Sequence, residues 1–121
     1  MRKKLVIALL TLAAASALGA SLLSDRDVRV GAVMSMTEKG YSPATTTIKR
    51  GEAVRFVNAT DDAYLWPASN LHPTHELYPE FDPREPVGPG EEWEFVFEEA
   101  GEWTYHDHLK PRIRGTISVV E

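Results

Sequence analysis

The 121-residue chain contains no cysteine. It therefore has no disulfide to staple a small fold and no thiolate to bind a soft metal. Basic residues are in the minority: 13 Lys and Arg stand against 18 Asp and Glu, a formal net charge of −5. Three of the basic residues are Arg2, Lys3 and Lys4, so the part from Asp25 onward carries ten basic and 18 acidic residues, a charge of −8. Such a balance argues against nucleic acid and anionic membrane surfaces as partners and favours cations or basic proteins. No window after residue 24 sustains an apolar period of 3.6, which argues against amphipathic helices. Histidine is scarce as well, with four in the chain, and all four fall in two short clusters.

The N-terminal stretch is of a different kind. A basic start is followed by an uncharged run from Leu5 to Ser24 and by small residues around Ala20 and Ser21. This is the pattern of an export signal, and twenty uncharged residues also suffice for a membrane anchor. Residues 1–24 are expected to be a signal peptide or an N-terminal membrane anchor, and residues 25–121 one domain. The expected location is periplasmic or extracellular, with membrane anchoring as the alternative.

Short runs of β-branched and aromatic residues alternate with Gly, Pro and Asp in the remainder, as in an all-β sandwich of seven to eight strands. Strands are expected at Val28–Met36, Thr45–Lys49, Ala53–Asn58, Ala63–Trp66, Glu92–Glu98, Glu102–His108 and Arg114–Val120, with GYSP at Gly40–Pro43 as a break. Trp93, Phe95 and Phe97 alternate with glutamates, which marks a half-buried strand with a wet face. Six prolines between Pro67 and Gly90 predict a long, stiff connection. Tyr78 and Phe81 within it predict that it packs down onto the body of the fold.

The histidines lie in YHDHL (His106, His108) and HPTH (His72, His75). Residues i and i+2 of a strand share a face. With Trp103 and Tyr105 in the core, Asp107 points inward, and His106 and His108 point the other way. His72 and His75 form an H-x-x-H pair that can chelate from a turn, with Pro73 limiting the conformations to be frozen. The bland alternative is solvated strand histidines and a scaffolding loop.

The segments GYSPATTTIKRGEAVRFVN (40–58), PGEEWEFVFEEAGEWTYH (89–106) and RGTISVVE (114–121) occur in the order seen in the cupredoxins, the small copper proteins that include plastocyanin, amicyanin and pseudoazurin. The resemblance covers the whole part after the N-terminal segment, and it implies a cupredoxin-like Greek-key β-sandwich. The metal motif departs from it. Where such proteins run Tyr-His-Cys-x-x-His-Pro-x-Met-x-Gly, Asp107 stands in the place of the cysteine, Lys110 in that of the histidine and Ile113 in that of the methionine. Tyr64 or Leu65 takes the place of the remaining histidine. A blue copper site needs a thiolate beside its imidazoles, so that function is excluded. The Tyr-His-Asp-His run is also similar to the Tyr-His-Cys-His run of multicopper oxidases, whose flanking histidines serve a second copper.

The resemblance places the proline-rich loop and the end of the YHDH strand at one pole, where the four imidazoles can converge. The expected metal ligands are therefore His72, His75, His106 and His108 with Asp107, Asp107 being a ligand or a partner that orients an imidazole. Copper is the expected metal, with zinc as the other candidate. The expected role is copper handling or non-blue redox chemistry, with a redox or copper-transfer protein as partner. Two alternatives stand beside it: a metal-free structural or interaction domain, and a small copper oxidase or superoxide dismutase. A third variant has outward-facing His106 and His108 sharing copper between subunits.

Overall fold

In the computed structural model, residues 27–121 are described, and the segment expected to be a signal or anchor lies outside them. Eight strands run β1 Val30–Thr37, β2 Gly40–Ser42, β3 Thr45–Lys49, β4 Ala53–Asn58, β5 Pro67–Ser69, β6 Glu92–Val96, β7 Gly101–Asp107 and β8 Arg114–Val120. There is no helix among the described residues. The strands form two four-stranded sheets, β2-β1-β4-β6 and β3-β8-β7-β5. Both are mixed: β1 pairs in parallel with β4, and β3 with β8.

Alternation in the sequence builds the core. Val54 and Phe56 of β4, Phe97 just beyond β6, Tyr105 of β7 and Ile117 and Val119 of β8 are all buried. Each large apolar side chain taken from water contributes roughly 1.5–3 kcal/mol, which is how a chain without disulfides holds together. Phe81 comes from the proline-rich connection, is fully buried, and packs on Phe56, Phe95, Phe97 and Tyr105 with ring centroids 5.1–5.6 Å apart. Tyr78 is also buried, with its N–H bonded to Ser69 Oγ at 2.8 Å. The connection therefore packs down as expected.

Two elements differ from the sequence expectation. Gly40–Ser42 is a strand, not a break: it returns antiparallel to β1 through Thr37–Gly40. The short fourth strand lies at Pro67–Ser69, not at Ala63–Trp66. It pairs with β7 at the edge of its sheet, where a proline at the first strand position forfeits no interior ladder bond. β7 is thus flanked by β8 and β5, which fixes the strand that carries YHD. Tyr105 lies across Gly115 of β8, its cross-strand partner. A Cβ at Gly115 would sit 2.6 Å from the Tyr105 ring, so this close approach requires glycine.

Candidate metal centre

The inward face of β7 carries Tyr105 and Asp107, both fully buried, as parity predicts. Asp107 Oδ1 accepts the N–H groups of Leu109 and Lys110, and Oδ2 accepts that of Trp66. The carboxylate therefore ties the turn after β7 to the segment leading into β5. Among the described residues every hydrogen bond that the carboxylate accepts is from backbone, and it does not join the histidines. Leu65 and Ile113, which fill two of the family's ligand positions, are buried and apolar, and Tyr64 is 60% exposed. Among the described residues this side of the strand offers no set of metal donors.

The outward face differs. His106 points away from the core, yet only 2% of it is exposed, because the connection after β5 folds over it. Facing outward does not mean facing water here. His108 follows the end of the strand, and its N–H is held by Trp66 O at 2.8 Å. The connection contributes His72, which is exposed, and His75, which is buried. One ring nitrogen from each of His72, His75, His106 and His108 lies within 4.8 Å of the other three.

Two of the imidazoles are locked from behind. His75 Nδ1–H donates to Asp82 Oδ2 at 2.8 Å, and Asp82 Oδ1 accepts Trp66 Nε1–H at 2.8 Å. His106 Nδ1–H donates to Asn70 Oδ1 at 2.7 Å, and Asn70 Nδ2 is itself spent on Thr104 Oγ1. These partners set the tautomers and leave both Nε2 lone pairs aimed into the group. The other two rings present Nδ1: that of His108 lies 3.0 Å from His75 Nε2, and that of His72 lies 3.2 Å from His106 Nε2. His75 has φ of 55°, a left-handed conformation uncommon outside glycine but several-fold enriched for histidine. Its N–H closes a turn on Leu71 O, so the backbone as well as the ring is held.

Electrostatics keep the buried ring ready to bind. Burial, then the neighbouring imidazoles of His75, His72 and His108, and finally Arg114, push His106 down to about 4. It is therefore neutral at neutral pH, the form that ligates. His108 is lowered by burial and by His75 and His72, against an opposing pull from Asp82 and Asp107. For Asp82, burial works to raise the carboxyl, but hydrogen bonds from His75, the Arg84 N–H and Trp66 outweigh it and leave the group below its ordinary value.

Two contacts in the donor set have the spacing that a metal ion imposes, within a group gathered to 4.8 Å. A metal with nitrogen ligands at about 2.0–2.1 Å keeps neighbouring donor atoms about 3 Å apart. The contacts of 3.0 and 3.2 Å are of that size. A histidine whose far nitrogen is held by a carboxylate or amide oxygen is the usual arrangement of a metal-binding imidazole. Sequence reasoning missed Asp82 and Asn70. Asn70 stands two residues before His72, but nothing local marks Asp82, which the fold brings to His75.

No family model matches the chain, and no curated protein matches it in sequence. Solved structures do match it in shape. A reduced mutant of amicyanin superposes with a TM-score of 0.61 at 17% identity, over 80% of this chain and 87% of that one. The Cu(I) form of another amicyanin mutant gives 0.61 at 19% identity, over the same shares. The copper-containing nitrite reductase of Thermus scotoductus SA-01 gives 0.61 at 22% identity, over 80% of this chain but only 23% of that larger one. The fold is thus that of the cupredoxins, carrying a group of four histidines and no cysteine.

Proposed function

We propose that this protein is an exported copper-binding protein whose ligands are His72 Nδ1, His75 Nε2, His106 Nε2 and His108 Nδ1. The observation that carries the reading is the convergence of these nitrogens within 4.8 Å, with two of them aimed by Asp82 and Asn70. Neutral imidazoles suit Cu(II) and Zn(II), and at a given nitrogen site Cu(II) binds more tightly than Zn(II). When bound, copper supplies a one-electron redox couple without the thiolate that makes a blue site. The chain's own part is to present four ring nitrogens, to fix two of them, and to exclude water from His75 and His106. In this reading Asp107 is not a ligand and serves as the backbone tie of the turn.

The role proposed is copper storage, delivery or tolerance outside the cytoplasm. Export is supported by the pattern of residues 1–24, which also accommodates an anchor. Exchange is supported by exposed His72, and a copper-transfer or redox partner by Leu71 and Leu109. These two neighbours of His72 and His108 are 59% and 47% exposed. The test is copper and zinc content after equimolar loading and extensive dialysis, beside His72→Ala/His75→Ala. One copper per chain, only weak visible absorption, and loss of metal in the variant are expected. A wild-type protein that retains no metal contradicts the reading and leaves a metal-free interaction domain. Oxidase or superoxide dismutase turnover by the loaded protein would place it among enzymes.

A further inference from the structure

Charge around the histidine group is lopsided. The carboxylates of Asp82 and Asp107 lie on the side of His75 and His108: Asp82 bonds His75, and Asp107 belongs to the turn that carries His108. On the other side, Arg114 is the cross-strand partner of His106, so their side chains stand on the same sheet face. Among the described residues Arg114 makes no ion pair with a carboxylate; its Nε reaches Pro111 O at 3.4 Å. Asn70, Leu71, His72, His106, Pro111 and Arg114 enclose an open cavity of about 160 Å³ on that side. The cavity is bounded by two of the proposed ligands and by one unpaired guanidinium.

We infer that this cavity is an anion site, in which a small inorganic anion pairs with Arg114 beside His72 and His106, where it would also be within reach of a metal held by those histidines. The inference rests on the copper reading. Imidazole ligands bring no negative charge to offset that of a divalent ion, and among the described residues the only carboxylate bonded to a ligand ring is that of Asp82, on the far side. A guanidinium offers up to five N–H donors and binds anions with geometric preference. The cavity volume has room for an anion of a few heavy atoms. The domain's charge of −8 does not steer anions from a distance, so selection is local to this cleft.

The experiment titrates the copper(II)-loaded full chain with azide, following the azide-to-copper charge-transfer absorption and the electron paramagnetic resonance spectrum. Copper content is measured in the same samples. The wild type is expected to show a saturable band, and Arg114→Gln to weaken azide binding about tenfold with copper content unchanged. Arg114→Lys should recover part of the loss. Arg112→Gln, which removes the same charge from an exposed position outside the cavity, should leave azide affinity unaltered. Full copper content with no azide-dependent spectrum overturns the anion site and spares the copper reading. Equal weakening by Arg112→Gln, or none by Arg114→Gln, likewise overturns it. A wild type that retains no copper overturns both.

Discussion

The two faces of β7 have been put to opposite uses. On the inner face, the position that holds a cysteine in the resembling copper proteins holds Asp107, whose carboxylate is consumed by three backbone N–H groups. On the outer face, one residue earlier and one later, His106 and His108 meet His72 and His75. Because side chains alternate along a strand, adjacent residues can serve two unrelated ends without sharing space. The scaffold keeps its sandwich, the inner end of the strand becomes a structural knot, and the donors collect on the other side under the proline-rich connection. What the comparison teaches is that a ligand position in a fold is tied to a face of a strand. Losing it on one face says nothing about the other.

The widest separation between the faces is expected from deleting ligands. His75→Ala/His106→Ala should abolish copper retention after dialysis, as measured by elemental analysis. Asp107→Ala should do the reverse. It should keep copper near one per chain while lowering stability by about 3 kcal/mol, since three backbone N–H groups lose a charged acceptor. Chemical denaturation reads the stability, and copper loss from Asp107→Ala at undiminished folding would return Asp107 to the ligand set. Behind the outer face, Asp82→Asn should weaken copper roughly 10–100-fold, because the carboxylate that orients His75 is gone. Competition against a chelator of known affinity measures it. Trp66→Phe removes the Nε1–H that holds Asp82 together with part of the ring that packs on His108, and a loss of at least about 1 kcal/mol in stability is expected from denaturation.

A further effect concerns pH. His106 has a folded value of about 4, below the ordinary value near 6.5. Between these values the unfolded chain binds more protons than the folded one, so stability rises with pH across that window. Without added metal, the denaturation midpoint should therefore fall as pH drops from about 6.5 to about 4. His106→Gln should flatten part of that slope, and an unchanged slope would mean that His106 is not held neutral.

Much of this was legible in the chain. Thr45–Lys49, Ala53–Asn58 and Arg114–Val120 coincide with β3, β4 and β8, because turn residues bound each run closely. Parity placed Asp107 inward and His106 outward. What it could not supply was the cover over His106, since that depends on a connection whose prolines hide the strand Pro67–Ser69. The same connection carries Asn70 and Asp82, whose roles arise from contacts across 36 and seven residues. Composition does not encode such contacts. GYS was missed as a strand because three residues with a glycine carry too little pattern to distinguish a hairpin arm from a break.

The most direct test of the central claim is X-ray absorption at the copper edge of the stoichiometrically loaded protein, beside Asp107→Ala. The account predicts four nitrogen scatterers at about 2.0 Å with outer-shell scattering of imidazole rings, and the same shell in the Asp107→Ala protein. A shell with fewer than three imidazoles, or one that loses an oxygen scatterer in Asp107→Ala, would contradict it and place the metal on the inner face of β7.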